Sequence, residues 1–167
     1  IYYYKDGKIE QKGNFKRNKY DGKWIWYYPN GNVWREEIYE NGKEEGAFVE
    51  YNDTGKVILK GQYFDGERTG YWIYEVGDII EKGKYIDGLK DSTWKSFYKN
   101  GKIAEIVNFL QGQKNGKYRY YYPNGILKEE GYYIMGRREK KWYYYDENGQ
   151  LYLTLQYKKD KEIKING

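Results

Sequence analysis

The sequence contains no cysteine and no histidine, and only two prolines among its 167 residues. Without cysteine there is no disulfide framework, and without cysteine and histidine the usual zinc sites are excluded. Nucleophilic and acid–base catalysis most often use these same two residues. Adjacent carboxylates such as Glu36 and Glu37 point to opposite faces of a strand, so they do not form an acid–base pair. We therefore predict that the protein is not an enzyme, uses no cofactor or metal, and takes no small-molecule substrate.

Long hydrophobic runs are also absent. No segment reaches the roughly 20 apolar residues of a transmembrane helix, and no basic segment followed by an apolar one indicates a signal peptide. The sequence starts at Ile1 rather than at methionine, so we expect a further N-terminal segment to precede it. The compartment stays open between the bacterial cytoplasm and an exported or cell-surface location.

Tyrosine, tryptophan and glycine are abundant, with 24, 6 and 21 residues respectively. The aromatic residues recur every 24 positions, most clearly where the segment Tyr-Tyr-Pro-Asn-Gly occurs at residues 27–31 and again at 121–125. Alignment on this segment divides the chain into tandem repeats, which we predict to form one domain over residues 1–167. The repeats are residues 1–21 (partial), 22–45, 46–69, 70–91 (two residues shorter), 92–115, 116–139 and 140–163.

Three positions of the repeat are regularly aromatic. Position 3 is Trp24, Phe48, Trp72, Trp94, Tyr118 and Trp142. Position 6 is Tyr3, Tyr27, Tyr51, Phe97, Tyr121 and Tyr145. Position 18 is Phe15, Tyr39, Tyr63, Tyr85, Phe109, Tyr133 and Tyr157. Such regularity is typical of structural packing, so these residues are not predicted to form a binding site.

Asn-Gly and Asp-Gly pairs occur eleven times and are the strongest short-range signal for a β-hairpin. Each repeat is predicted to form two strands, at positions 2–7 and 11–19, joined by a tight turn at positions 8–10. This turn pairs position 6 with position 12, for example Tyr27 with Val33. The predicted fold class is all-β, an elongated antiparallel β-meander of about seven tandem 24-residue hairpin repeats. Its open edge strands favour self-association.

The pattern Gly-x-Trp-x-x-Tyr-Tyr-x-Asn-Gly, followed by Tyr-x-Asn-Gly, resembles the MORN repeat variant found in many bacterial proteins. The resemblance extends over essentially the whole chain and implies a non-catalytic scaffold that binds another protein. Bacterial chains of such repeats often carry the label of a toxin–antitoxin system antitoxin, and others are exported. Related MORN repeats in eukaryotes contact proteins and membrane phospholipids. Three departures from the pattern are predicted to bend the array: the short repeat of residues 70–91, and Ser92 and Lys140 in place of the glycine expected at position 1.

Positions 5 and 7 vary between repeats, and several of the residues there are aromatic candidates for an exposed binding surface. Aromatic side chains are enriched at protein interfaces. A meander one layer thick would leave an aromatic face uncovered, and we therefore predict a binding surface at these positions. It consists of Trp26, Tyr28, Tyr98, Tyr120, Tyr122 and Tyr144. The alternative is that these rings only stabilise the sheet.

Charge is distributed unevenly along the chain. Residues 1–91 hold 15 basic and 17 acidic side chains, whereas residues 92–167 hold 15 and 8, which gives balances of −2 and +7. The excess lies near the second turn of the late repeats, where a meander stacks equivalent turns along one edge. This candidate basic edge is Lys114, Lys117, Arg137, Arg138, Lys140, Lys141 and Lys161, extended by Lys158, Lys159 and Lys164. It would meet an acidic protein surface, anionic lipid or nucleic acid, or it would only prevent edge-strand aggregation. A protein partner is favoured.

Overall fold

The computed structural model describes residues 1–163, which form β-strands and turns with no helix in that range. The sixteen strands of this range follow one another as an antiparallel meander, which confirms the predicted fold class. These residues accordingly include no helix of the length and apolar character needed to cross a membrane. The chain divides into two compact parts. The first is Ile1–Glu75 with Tyr85–Gly88, and the second is Val76–Lys84 with the residues from Leu89 onward.

In the first part each strand is antiparallel to the next, and a short fifth strand pairs with the fourth beside the sixth. The strands are β1 (Tyr2–Tyr3), β2 (Ile9–Lys16), β3 (Lys19–Tyr27), β4 (Val33–Glu40), β5 (Lys43–Glu44), β6 (Gly46–Tyr51), β7 (Val57–Phe64) and β8 (Glu67–Val76). Strand β9 (Ile79–Ile86) contributes residues to both parts.

The second part repeats the same arrangement, again with each strand antiparallel to its neighbour in the chain. Its strands are β10 (Leu89–Tyr98), β11 (Ile103–Leu110), β12 (Gln113–Tyr121), β13 (Leu127–Ile134), β14 (Arg137–Tyr145), β15 (Leu151–Lys158) and β16 (Lys161–Ile163).

The first turn of each repeat has the predicted position and produces the predicted register. In the repeat of residues 22–45, the amide of Gly31 donates to the carbonyl of Tyr28 at 2.8 Å, and Gly31 has a φ of 91°. Pro29 follows Tyr28 at the position of a turn where its fixed φ fits. The predicted pairs of positions 6 and 12 are confirmed in five repeats. They are Tyr27–Val33, Tyr51–Val57, Phe97–Ile103, Tyr121–Leu127 and Tyr145–Leu151.

A β-bulge next to this pair was not predicted. Trp26 pairs with Arg35 and Tyr27 with Val33, so Trp34 at position 13 is an extra residue. Because side chains alternate along a strand, positions 3 and 5 share one face and position 6 lies on the other. Positions 3, 6 and 18 therefore do not form one core. We call positions 3, 5, 16 and 18 the indole face, and positions 2, 4, 6, 15 and 17 the outer face.

A second turn of two residues joins each repeat to the next. Asn41 and Gly42 have φ values of 52° and 88°, and Met135 and Gly136 have values of 47° and 79°. Positive φ at both central residues is the pattern of a type I′ turn, whose twist matches that of the flanking strands. Asparagine, aspartate and glycine are well suited to it, and three of the eleven Asn-Gly and Asp-Gly pairs lie at second turns, while five others end first turns.

The core lies on the indole face, where Trp24, Trp72, Trp94 and Trp142 are fully buried. Each indole packs on a glycine at position 16 of the preceding repeat. These glycines are Gly13, Gly61, Gly83 and Gly131, and a Cβ atom at any of them would overlap the indole ring. Where position 16 has a side chain, the next repeat has a smaller ring: Glu37 precedes Phe48, and Val107 precedes Tyr118.

Position 1 lies within a strand but has a left-handed backbone. Between β13 and β14, Glu130 faces Tyr143 and Tyr132 faces Glu139, so three residues of β14 oppose one residue of β13. Lys140, at position 1, has a φ of 64°, close to the 70° of a glycine at the same position, Gly22. Ser92 has a φ of 57°. The two departures from glycine therefore leave the local backbone conformation unchanged.

Candidate binding surfaces

The first of the aromatic candidates, Trp26, belongs to the core. Its side chain is 8% exposed, and its ring centroid lies 6.0 Å from that of Trp24. The guanidinium carbon of Arg35 lies 4.3 Å from the Trp26 ring centroid on the same face. Such a cation over an aromatic face is stabilising. Trp26 therefore presents almost no surface of its own.

The candidates at position 7 bond to the next repeat. The hydroxyl of Tyr28 donates to the carbonyl of Tyr51 at 2.8 Å, and that of Tyr122 donates to the carbonyl of Tyr145 at 2.9 Å. Tyr98 makes the equivalent bond to the carbonyl of Tyr121, and Tyr4 makes it to Tyr27 at 2.6 Å. Donor and acceptor are 23 residues apart in every case. That constant separation is the sequence signal from which these bonds could have been predicted.

Where position 7 is not tyrosine, its side chain caps the turn of its own repeat. The Asn52 side-chain oxygen accepts from the amides of Thr54 and Lys56, at 3.1 and 2.9 Å. The Asp146 carboxylate accepts in the same way from the amides of Asn148 and Gln150. The variation at position 7 thus has a structural cause, because both kinds of residue stabilise the first turn or its connection to the neighbouring repeat.

The remaining aromatic candidates, Tyr120 and Tyr144, are half-buried on the indole face. The Lys128 ammonium lies 5.5 Å from the Tyr120 ring centroid. Burial, followed by a hydrogen bond with Tyr157, raises the pKa of Tyr144. Burial and a hydrogen bond with Tyr120 raise the pKa of Tyr98 to about 12. The structure therefore brings these rings together as packed and hydrogen-bonded neighbours rather than as a fully exposed surface.

The candidate basic edge is divided between the two faces. Lys114 and Arg138, at position 23, lie over core rings on the indole side. The Lys114 ammonium is 5.1 Å from the Tyr118 ring centroid, and the Arg138 guanidinium carbon is 4.8 Å from that of Trp142. Lys90 lies over its own core ring in the same way. These cations cover the core. The residue pattern of one strand does not reveal this role, because each cation lies over an aromatic ring at another position of the sheet.

Arg137 and Lys161 lie beside second turns, where their side chains are exposed. Lys161 faces Lys158 across the last hairpin. Lys158 and Lys159 are also exposed, and Lys164 lies outside the described residues. Arg137 directly precedes Arg138 in β14, and because side chains of consecutive strand residues point to opposite faces, Arg137 does not share the indole face with Arg138.

The other three basic candidates line a groove on the outer face of the second part. The groove has a volume of about 450 Å³. Its lining residues are Lys117, Glu130, Gly131, Tyr132, Lys140, Lys141 and Tyr143. Lys117 forms an ion pair with Glu130 at 3.3 Å, and the Lys140 ammonium lies 3.9 Å from the Tyr132 ring centroid. Among residues 1–163 no carboxylate lies within ion-pair distance of Lys140 or Lys141.

Side chains of the outer face differ from repeat to repeat, although their backbone positions are equivalent. Position 4 shows this most clearly, because it is aliphatic in three repeats and basic or aromatic in the next three. The residues are Ile25, Val49, Ile73, Lys95, Arg119 and Tyr143. In the second part, Lys95, Ile106, Arg119, Glu130 and Tyr143 are successive cross-strand neighbours in one row.

A buried charged cluster occupies the indole face of residues 22–45. Glu37 is 5% exposed, and it accepts a hydrogen bond from the Tyr39 hydroxyl. The Nε atom of Arg35 lies 3.3 Å from the Glu37 carboxylate. Burial raises the pKa of Glu37, although the Tyr39 hydrogen bond and the Arg35 charge act in the opposite direction. Glu37 stands at position 16, so this cluster takes the place of the glycine–indole contact.

Side chains suited to metal binding are not grouped in the structure. Among residues 1–163 no three histidine, cysteine, aspartate or glutamate side chains lie together in an arrangement that could hold a metal ion.

Comparison with known protein families identifies the type of repeat. The family model described as MORN repeat variant matches five segments of the chain, which together exceed half of its length. They are residues 1–17, 20–43, 90–111, 114–135 and 138–159. The unmatched residues 44–89 contain the same succession of strands and turns. No curated protein matches the chain.

Proposed function

The chain belongs to the MORN repeat variant family, and on this premise we propose that it is a non-catalytic repeat scaffold that binds another protein. MORN repeats are commonly binding or scaffold repeats without catalytic activity. Within each part of the chain, neighbouring repeats contact one another and present several repeats side by side, which suits the recognition of a large partner.

One observation carries this proposal, namely the contrast between the two faces. The indole face has an aromatic residue at position 3 in every complete repeat, and its rings pack on one another. The outer face keeps the same backbone but changes its side chains, as position 4 shows with Ile73 and Arg119. Tyr71, at position 2, is 77% exposed. A constant frame that presents variable exposed side chains is typical of a binding protein.

The aromatic candidates offer a second contact surface for the same function. Tyr28, Tyr98 and Tyr122 are half-buried and stand beside the first turns, where each ring keeps a solvent-facing part. Their hydroxyl groups are occupied by carbonyl oxygens. They would therefore contribute apolar ring surface to a partner, and no hydroxyl donor.

An antitoxin-like role is one specific form of this function. The partner would then be a toxin protein, and binding would block its activity. The support for this form is the resemblance of the repeat to those of bacterial chains labelled as antitoxins. Co-expression with the product of a neighbouring gene tests it directly. Restored growth of cells that express a toxic neighbour is the expected result, and unchanged toxicity would end the antitoxin proposal.

Site-specific photo-crosslinking tests the binding function and its face together. p-Benzoylphenylalanine is placed at Tyr71 and Tyr143 on the outer face, and at Tyr152 as the matched control. Tyr152 is 63% exposed but stands at the bulge position beside the indole face. We expect a covalent protein adduct in living cells from the outer-face positions only. Adducts from Tyr152 alone would show that the partner binds beside the indole face instead. Absence of an adduct at all three positions would contradict the proposal.

Binding of anionic lipid or nucleic acid through the basic edge is the alternative function. Lys140 and Lys141 support it, because neither has a carboxylate within ion-pair distance among the described residues. Electrostatic binding is strongest at low ionic strength. Sedimentation with phosphatidylserine vesicles and a gel-shift with single-stranded oligonucleotides at low salt therefore test it. Absence of binding in both assays would eliminate this alternative.

A further inference from the structure

We propose that the outer-face groove over Gly131 binds an acidic peptide segment, through the ammonium groups of Lys140 and Lys141. This inference rests on the proposed function, because it takes the partner to be a protein and assigns the chemistry of its contact. The groove occupies about 450 Å³, which gives room for a short stretch of chain rather than a single ion. Every residue that carries the inference lies in the second part of the chain.

The backbone at Lys140 is the first observation. Lys140 has a φ of 64°, in the left-handed region that disfavours any residue with a Cβ atom. Four other repeats have glycine at this position: Gly22, Gly46, Gly70 and Gly116. Glycine would remove the backbone strain, and lysine instead brings a cation to the edge of the groove. Among the eleven non-glycine residues of positive φ in the described range, Lys140 is the one that lines this groove.

The charge balance of the groove is the second observation. Its one lining carboxylate, Glu130, is already engaged by Lys117 at 3.3 Å and by Arg119 at 3.6 Å. Lys140 and Lys141 also line the groove, and within residues 1–163 neither forms an ion pair. Two uncompensated ammonium groups on one groove attract an anionic ligand.

The lining chemistry favours carboxylates over phosphates. The Glu130 carboxylate lies in the groove, and it repels a phosphate dianion more strongly than a carboxylate with a single charge. The Lys140 ammonium already covers the Tyr132 ring at 3.9 Å, so that ring is not free to stack on a nucleic-acid base. Alternate carboxylates on an extended chain fit these features best.

A groove at the equivalent place in the first part provides an internal comparison. It lies over Gly13, has a volume of about 320 Å³, and is also lined by Lys12, Lys23 and Ile25. Its Lys23 is paired with Glu36 at 2.7 Å, and position 1 of that repeat is glycine. The groove and its lining lysines are thus a product of the repeat, whereas the cation supplied by position 1, Lys140, belongs only to the one over Gly131.

The exchange Lys140→Gly tests the inference without endangering the fold, because it restores the residue that most repeats have at this position. Lys159→Gly is the matched control. Lys159 also has a positive φ, 51°, and its side chain is exposed at a second turn away from the groove lining. Both exchanges remove one positive charge and relieve the same kind of backbone strain. Urea unfolding should show that neither variant is less stable than the parent chain.

Fluorescence anisotropy of a fluorescein-labelled peptide of alternating glutamate and serine measures binding to the full chain. We expect at least about tenfold weaker binding by Lys140→Gly and unchanged binding by Lys159→Gly. Replacing the glutamates of the peptide by glutamine should abolish binding, and raising the salt from about 50 to about 300 mM should weaken it.

Three results would overturn the inference. These are equal losses in the two variants, no binding of the glutamate peptide, or binding of phosphatidylserine vesicles or an oligonucleotide in preference to that peptide. A partner that crosslinks at Tyr143 and binds Lys140→Gly as tightly as the parent chain would also contradict it, while leaving the scaffold function in place. Absence of any crosslinked partner would instead contradict the scaffold function.

Discussion

At the scale of single residues, the glycine at position 16 and the ring at position 3 of the following repeat depend on each other. The ring of Trp24 occupies the space where a Cβ atom of Gly13 would lie. Its indole nitrogen also donates to the carbonyl of Asn14 at 3.0 Å, so the ring is fixed by a hydrogen bond as well as by packing. Adding even one methyl group at the glycine would fill the space that the indole occupies and force the ring out of position.

Gly131→Val is therefore expected to lower the free energy of unfolding by about 1–3 kcal/mol, the usual cost of overpacking a core. Gly131 has no positive φ, so the loss would come from the collision with the Trp142 ring and not from backbone strain. Urea unfolding followed by circular dichroism measures it.

The double variant Gly131→Val with Trp142→Tyr provides the control, because it copies the native pair of Val107 and Tyr118. We expect it to be more stable than the sum of the two single changes predicts, by at least about 0.5 kcal/mol. Strict additivity of the two changes would show that valine and the indole do not collide.

Glu37 predicts a specific pH dependence. Burial raises its pKa above 4.5, so between 4.5 and the raised pKa the folded chain holds a proton that the unfolded chain has released. This contribution to stability is complete below 4.5 and is lost as the pH rises through the raised pKa. The parent chain should therefore lose stability relative to Glu37→Gln as the pH increases from about 4 towards neutrality.

Urea unfolding of both chains at a series of pH values measures this difference. Glutamine keeps an oxygen that can accept from the Tyr39 hydroxyl, so the variant changes the titration more than the packing. A difference that is constant with pH, or that favours the parent chain at higher pH, would mean that the pKa of Glu37 is not raised.

At the scale of strands and turns, each repeat uses two hairpins of different construction. The first turn ends in a glycine such as Gly31, and it is connected to the next repeat by position 7. The second turn has two residues of positive φ, as at Asn41 and Gly42. Tyrosine hydroxyls thus link successive first turns, while backbone twist determines the second.

Tyr122→Phe removes one such link, the bond from the Tyr122 hydroxyl to the Tyr145 carbonyl at 2.9 Å. We expect a loss of about 1 kcal/mol of unfolding free energy, the typical value for a hydrogen bond within a protein. Tyr152→Phe is the control, because Tyr152 is 63% exposed. Equal effects of the two exchanges in urea unfolding would show that the hydroxyl bond contributes nothing.

The strands and first turns could be predicted from the sequence because glycine, asparagine and alternating rings have strong local preferences. Pairs such as Tyr27 and Val33 follow directly from the turn position. The bulge at Trp34 could not be predicted in this way, since an extra residue on one strand leaves no mark in the local turn signal. The position of Arg138 over Trp142 was missed for a similar reason. It depends on the left-handed backbone at Lys140, and a lysine gives no local signal for that conformation.

At the scale of the whole molecule, strands β1–β7 and β10–β16 make their substantial contacts with their neighbours in the meander. Repeat proteins of this kind unfold locally, because stability is close to a sum of terms between adjacent repeats. Gly131→Val should therefore accelerate amide hydrogen exchange in β13, β14 and β15, and leave the rates in β2, β3 and β4 unchanged. Hydrogen-exchange mass spectrometry measures this, and a uniform acceleration along the chain would indicate a single cooperative unit instead.

The contact between glycine and indole crosses the boundary between one repeat and the next, and this restricts the order in which repeats can be joined. A repeat that carries glycine at position 16 can precede one that carries tryptophan at position 3, as the repeat of Gly61 precedes that of Trp72. A segment that carries Val107 precedes a tyrosine, Tyr118. Exchanging whole 24-residue segments would place valine beneath an indole. A 24-residue segment that could be duplicated, deleted or recombined without loss of this contact therefore starts between positions 3 and 16. Such a segment contains both the glycine and the tryptophan that packs on it.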